Sequence, residues 1–310
     1  MSDIVIAEFM DEAALAAIPA RFSILYDATL VDRPADLARE VATTKALIVR
    51  NRTQVRGDLL KAAIHLKTIG RLGVGLDNID TATCAARGIS VFPATGANDL
   101  SVAEWVICTA MLLLRGAYLA TPDVSAGTWP RNRLMGRELS GKTMGLVGYG
   151  AIAREVAKRA NMLGMACIAF DPYLPDDHPA WTMAHRHGLE PLLREADVVS
   201  LHVPLNDTTA NMMDAVRLKR MKKDAILLNA SRGGIVNEAA LAAALKAGEL
   251  GGAALDVFDE EPLSAARGAV FNGCPNLVLT PHIAGVTQES NIRVSHVTVA
   301  KVVKALEALE

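Results

Sequence analysis

Three side chains able to do polar chemistry stand just beyond apolar runs of strand character. Arg232 follows "ILLNAS", Glu261 follows "LDVFDE" and His282 follows "LVLTP". In an open parallel sheet, ligands bind beyond the carboxyl ends of the strands, so three such ends can bring these groups to one crevice. Imidazole titrates near neutral pH, which suits His282 to protonate a ketone oxygen as hydride reaches the adjoining carbon. A carboxylate on the other ring nitrogen fixes the tautomer and favours the charged ring, the role open to Glu261. A guanidinium is planar and permanently charged, so Arg232 can hold a substrate carboxylate while polarising the carbonyl beside it. Each residue has a plainer reading as a surface ion pair, a solvated acid before Pro262 or a turn histidine. It is the set that points to catalysis.

Hydride needs a carrier, and "VGYGAIAREVA" supplies a place for one. Gly148, Gly150 and Ala153 form a G-x-G-x-x-A pattern between an apolar strand and an amphipathic helix. The first glycine permits the tight turn, the second lets backbone approach a pyrophosphate, and the small third residue lets helix and strand pack closely. The helix N-terminus favours the negative charge. Asp171 ends the next strand, "ACIAFD", where a carboxylate accepts from ribose hydroxyls and repels a 2′-phosphate, so NAD is expected rather than NADP. Ala151 and Ile152 at the helix start, Pro204, and Ala230 and Ser231 ahead of Arg232 join the expected cofactor-binding set, with Arg232 and His282 shared between cofactor and substrate. His202, in "SLHVP", either lines this cofactor site or packs beneath it.

The elements that must position these groups alternate along the chain. "DIVIAEF", "FSILYD", "ALIVRN", "LKTIGRL" and "ISVFPA" read as strands separated by helical patterns, and a second series runs from "TMGLVGYG" to "NLVLTPH". Strand and helix in alternation mean parallel sheets, and near-continuous Val, Ile and Leu runs fit strands covered on both faces. The rhythm breaks after "PATGAND", where one long apolar helix from about Leu100 to Tyr118 precedes an Arg-rich stretch. The expected fold is therefore α/β, two Rossmann-like doubly wound domains with an interdomain cleft. Residues 97–284 form the nucleotide domain, and residues 1–96 form the substrate domain. The last helical pattern, Glu289 to Leu309, would make that first domain discontinuous, 1–96 plus 285–310, if it returns there.

The bulk properties agree. The 310 residues are 51% apolar with a formal net charge of −2, enough for large cores and without the basic runs that nucleic acid or a membrane surface would call for. Small molecules are the expected partners. The best membrane candidate, "WVICTAMLLL", is too short to span and reads as a buried helix. Cys84, Cys108, Cys167 and Cys274 show no CxxC pair and suit reduced thiols in a cytoplasmic protein, mostly buried. His185 and His187 lack partners at ligand spacing, and no metal is expected.

Taken together, "RLGVGLDNID", "GANDLSVAEWV", "ELSGKTMGLVGYGAIAREVA", "DVVSLHVPL", "LLNASRGGIVNE", "GAALDVFDEEPL" and "LTPHIAGVT" resemble the D-isomer-specific 2-hydroxyacid dehydrogenases, and within them the phosphoglycerate enzymes. The resemblance spans nearly the whole chain. It implies the Arg232, Glu261 and His282 roles given above, adds Asp256 as a partner of the nicotinamide amide, and implies hinges near Gly96 and Ala284. It further implies a homodimer or larger homo-oligomer joined through the nucleotide domain and the long helix. Ala153 departs from the commoner third glycine. Many phosphoglycerate enzymes carry a C-terminal regulatory domain where this chain stops, so control by an amino acid is not expected.

The resemblance also makes the loop of Gly73, Val74 and Gly75 a backbone cradle for the substrate carboxylate. Specificity then falls to side chains, and Arg50, Arg52, Arg131 and Arg133 are the candidates, each with an ordinary reading as a solvated surface cation. Arg50 and Arg52 are expected on the same side of an extended segment, since side chains there alternate with period two. Two guanidinium groups suit a substrate with a second anion at C3, 3-phosphoglycerate or 3-sulfolactate. The alternatives are a glyoxylate and hydroxypyruvate reductase using NADPH, which Asp171 disfavours, and an NAD(H)-binding corepressor.

Overall fold

The computed structural model describes residues 2–309, which divide into two units, one running to Asn98 and resuming at Val286, the other spanning Asp99–Gly285. Both are α/β, and every strand pairing in both is parallel.

The first unit carries a five-stranded sheet of β1 (Ile4–Ile6), β2 (Ile24–Tyr26), β3 (Ala46–Val49), β4 (Thr68–Arg71) and β5 (Ser90–Pro93), in the order β2-β1-β3-β4-β5. β1 and β3 are buried along their whole lengths, whereas the edge strands β2 and β5 are partly exposed. Central strands roofed on both faces need unbroken apolar runs; edge strands do not. One roof is the Gln288–Glu307 helix, whose Val294, Val299, Val302 and Leu306 join Ile4, Ile6 and Ile48 in one core. The approach is close at Gly70, where a Cβ would lie 2.6 Å from Thr298 Cγ2 and 2.7 Å from Val302 Cγ2. Thr287 starts this helix with a capping box shared with Ser290.

The second unit carries a seven-stranded sheet: β6 (Thr143–Val147), β7 (Ala166–Phe170), β8 (His185–Arg186), β9 (Val198–Leu201), β10 (Ile226–Asn229), β11 (Gly252–Leu255) and β12 (Leu277–Leu279). Its order is β12-β11-β10-β9-β6-β7-β8, so the winding reverses between β6 and β9. A reversal of this kind opens a crevice at the carboxyl ends of the strands. The β10, β11 and β12 ends, which precede Arg232, Glu261 and His282, are neighbours on one side of it.

The long apolar helix spans Asp99–Arg115 and stops at Gly116, whose φ of 60° is left-handed. It is not buried all round, as the sequence led us to expect. Ala103, Val106, Ala110, Leu113 and Leu114 pack against β10 and the Ala151–Met162 helix, while Cys108 and Met111 are exposed. The four cysteines are free thiols, Cys84 and Cys167 buried and Cys274 half-buried. Among the described residues no helix is long and apolar enough to cross a membrane.

Candidate active site

The nucleotide end begins where β6 stops. Gly148 has φ 85°, and a Cβ there would sit 2.5 Å from the His202 carbonyl oxygen, so only glycine fits the turn. Gly150 is the N-cap of the Ala151–Met162 helix, and a Cβ on it would meet nothing within 4 Å. Open space above a helix N-terminus that no side chain caps is what a pyrophosphate requires. Ala153 is fully buried against the core, the packing expected of the third small position. Ala151 and Ile152 begin the helix.

Asp171 follows β7 with each carboxylate oxygen bonded once, one to the Tyr149 amide at 2.9 Å and the other to the Tyr173 amide at 2.9 Å. The carboxylate is thus fixed beside the glycine turn with lone pairs remaining for ribose hydroxyls. His202 lies beneath that turn; its Nε2 is 2.9 Å from Ser200 Oγ, and burial pushes its pKa down to about 4. It is therefore neutral at physiological pH and brings no charge to a phosphate. The Pro204 carbonyl takes a 2.5 Å bond from Thr209 Oγ1.

At the ends of β10, β11 and β12, each candidate side chain is set by the turn behind it. Asn229, the buried last residue of β10, accepts from the Ser231 amide (3.1 Å) and hydroxyl (2.7 Å) and donates to the Arg232 carbonyl (2.9 Å). These bonds shape the turn through Ala230 and aim Arg232. Gly233 then passes so near the next strand's loop that a Cβ would fall 1.8 Å from the Phe258 carbonyl oxygen, and the Gly234 amide donates to Asp259 Oδ1 at 2.7 Å. The two glycines bring the Arg232 loop against the loop that carries Glu261. Arg232 Nη1 donates to the Ser231 carbonyl at 2.6 Å.

Glu261 accepts from the Phe258 amide at 3.0 Å through Oε1, and its Oε2 lies 2.6 Å from His282 Nδ1. Burial works to raise the Glu261 pKa, but the His282 bond and charge, the Phe258 amide and the charge of Arg232 together hold it below the ordinary carboxylate value. An ionised Glu261 is an acceptor only, so the proton of this bond sits on Nδ1. Nε2 is then the nitrogen presented outward from a side chain 44% exposed. His282 has φ 55°, a left-handed conformation uncommon for a residue with a Cβ.

The substrate candidates part company. β3 ends at Val49, and residues 50–53 do not continue extended: the buried Glu8 carboxylate gathers the amides of Arg50 (2.8 Å), Thr53 (3.0 Å) and Arg52 (3.2 Å) into a turn. The period-two argument that put Arg50 and Arg52 on one side therefore fails. Arg50 donates to Asn291 Oδ1 at 2.5 Å and lies over the Phe9 ring, whereas Arg52 is ion-paired with Asp32. Arg133 is likewise engaged, by Asp123 at 2.5 Å. Val74 and Gly75 lie in the loop after β4, half-buried.

Sequence reasoning overlooked Arg71. It ends β4, paired in register with Val49 of β3, so it stands beside Arg50 at adjacent strand ends. Its guanidinium lies over Gly73, where a Cβ would be 1.5 Å from Nη1, and it donates to the Leu72 carbonyl at 3.1 Å. The signal was present in "RLGVG", where the arginine stands just ahead of Gly73. Among the described residues no group of His, Cys, Asp and Glu is placed to hold a metal ion; His187 instead faces Glu195 at 3.2 Å.

A doubly wound sheet with a glycine turn at its switch point, and a histidine–glutamate pair with an arginine at the adjoining strand ends, define a nicotinamide-linked dehydrogenase. Residues 107–284 match the family model described as "D-isomer specific 2-hydroxyacid dehydrogenase, NAD binding domain", and the chain belongs to that family. It is 53% identical to the (S)-sulfolactate dehydrogenase of Chromohalobacter salexigens over 307 residues, 99% of each chain. It is 39% identical to the D-3-phosphoglycerate dehydrogenase of Archaeoglobus fulgidus, covering 88% of this chain and 52% of that one. The D-lactate dehydrogenase of Aquifex aeolicus, solved with NAD and lactic acid, superposes with a TM-score of 0.84 at 26% identity, covering 99% of this chain and 95% of that one. The protein is an NAD-dependent 2-hydroxyacid dehydrogenase.

Proposed function

We propose that the chain interconverts sulfolactate and its 2-keto acid, with His282, Glu261 and Arg232 as the catalytic set. The observation that carries the chemistry is the 2.6 Å contact between His282 Nδ1 and Glu261 Oε2. Bound NAD supplies or accepts the hydride. His282 Nε2 protonates the carbonyl oxygen in reduction and removes the hydroxyl proton in oxidation. Glu261 holds the ring in the tautomer that presents Nε2 and offsets its charge when protonated. Arg232 takes the substrate carboxylate and polarises the carbonyl beside it. Asp171 orients the adenosine ribose, and the turn from Gly148 to Ile152 carries the pyrophosphate.

A sulfonate at C3 is supported by likeness along the full length of the sulfolactate enzyme, and by the two guanidinium groups, Arg50 and Arg71, at adjacent strand ends of the first sheet. Arg52 and Arg133, held by Asp32 and Asp123, are left out of this site. The test is a panel of keto acids with NADH and NADPH. Sulfopyruvate with NADH should give the highest kcat/KM, and Arg50→Ala or Arg71→Ala should raise its KM by roughly ten- to hundredfold, the loss of one charge-assisted contact. Equal rates with hydroxypyruvate, or with a phosphorylated analogue, would reject the sulfonate assignment. The same reading places the enzyme, with its four free thiols, in the cytoplasm, as a homodimer joined across the exposed face of the Asp99–Arg115 helix.

A further inference from the structure

Arg50 differs from Arg52 in how its charge is held. Arg52 is ion-paired with Asp32, whereas Arg50 has no carboxylate at ion-pair distance among the described residues. The acid that acts on it, Glu8, spends its two oxygens on the amides of Arg50, Arg52 and Thr53. Neutral groups hold the guanidinium instead. Nη2 donates to Asn291 Oδ1 at 2.5 Å, Nη1 reaches the Phe9 carbonyl at 3.5 Å, and Cζ lies 5.8 Å from the centroid of the Phe9 ring. A guanidinium has donors only, so the Asn291 atom facing it is the carboxamide oxygen. Burial lowers the Arg50 pKa while Glu8 opposes the shift, and the group stays charged at neutral pH. Asn291 is itself firmly placed. It is the fourth residue of the Gln288–Glu307 helix, directly after the capping box, and belongs to the same unit as Arg50.

We propose that Asn291 is a positioning residue for Arg50 that sets substrate specificity: its neutral oxygen fixes the guanidinium at the end of β3 without cancelling the charge that a C3 anion requires. The proposal rests on the reading that Arg50 meets that anion. Other side chains at position 291 show why a carboxamide is called for. A carboxylate would grip Arg50 more tightly and would be favoured in the first turns of a helix, but it would neutralise the guanidinium and repel an incoming anion. A basic residue would drive Arg50 off. An apolar one would leave a long side chain to swing, with its rotamer freedom still to be lost on binding. The same reasoning explains why Arg52, neutralised by Asp32, is no substitute for Arg50.

The test compares Asn291→Asp with Asn291→Ala, each assayed with sulfopyruvate and with hydroxypyruvate, which has no anion at C3. In Asn291→Asp the ratio of the two KM values, sulfopyruvate to hydroxypyruvate, should rise by about tenfold or more, the scale of one charge-assisted contact annulled. In Asn291→Ala the same ratio should rise by about three- to fivefold, as a guanidinium left mobile is ordered on binding. That order is the signature. A side chain that merely kept the loop in shape would tolerate aspartate, which is isosteric and binds arginine well, better than alanine. The Asn291→Asp protein should accordingly unfold at a native or higher denaturant midpoint while binding the anionic substrate worse. A native ratio in Asn291→Asp, or greater damage from alanine than from aspartate, would overturn the proposal; if the aspartate variant does not fold, a native ratio in Asn291→Ala does so. An unchanged ratio in Arg50→Ala would instead remove Arg50 from the substrate. Should the enzyme turn over the phosphorylated keto acid and not sulfopyruvate, the sulfonate assignment falls, and the same ratios taken with that acid decide the role of Asn291.

Discussion

The contact between Glu261 and His282 carries unequal consequences for two substitutions. His282→Asn should lower kcat by roughly 10²- to 10⁴-fold, the contribution of a positioned acid and base. Glu261→Gln can keep its carbonyl on the Phe258 amide only by turning its NH2 toward Nδ1, which then cannot carry the proton, and the loss should be roughly ten- to hundredfold. Single-turnover rates at saturating NADH measure both, and a Glu261→Gln enzyme with native turnover would remove the carboxylate from the mechanism. The pH dependence has a definite sign. The Glu261 pKa is depressed in the folded state, so its stabilising effect is complete above the ordinary carboxylate pKa and disappears as pH falls through the lower folded value. Above about pH 5, therefore, an acid limb in the rate profile does not belong to Glu261.

At the scale of elements, the last helix and the first sheet meet at a glycine with no room to spare. Gly70→Ala must push back Thr298 and Val302 or displace β4, and should destabilise the protein by about 1–3 kcal/mol, as overpacking of cores does. Chemical denaturation followed by tryptophan-independent far-UV signal checks it, with a native midpoint as the contrary result. The same contact shows where sequence stops being legible. Apolar runs disclose β1, β3 and β10 because strands covered on both faces must be continuous in Val, Ile and Leu. The glycine turn directly follows such a run, and Arg232, Glu261 and His282 stand in the loops that leave three others. Gly70, by contrast, acquires its reason from residues 298 and 302, and Arg52 its partner from Asp32. No local pattern encodes those pairings. Arg71 was missed because its importance comes from standing opposite Val49 in the neighbouring strand, and the exposure of Cys108 and Met111 because a helix rich in apolar residues hides which face its sheet will cover.

For the molecule as a whole, that exposed face is the feature to explain. Met111 and Met162 are 40% and 81% exposed and line one groove with Cys108, and a cluster of apolar side chains in water is a common mark of an interface. Sedimentation should give at least twice the 32.9 kDa of the chain, and Met111→Glu should shift the distribution toward single chains; a monomeric native protein would refute the dimer. Chain order has a separate effect on how the molecule comes into being. The Asp99–Gly285 unit is one uninterrupted stretch, whereas the five-stranded sheet lacks a roof until residues after Val286 have been added. On the ribosome, the half begun first is thus the half finished last: β1, β3 and β4 emerge early and wait with a bare apolar face for the helix that covers them.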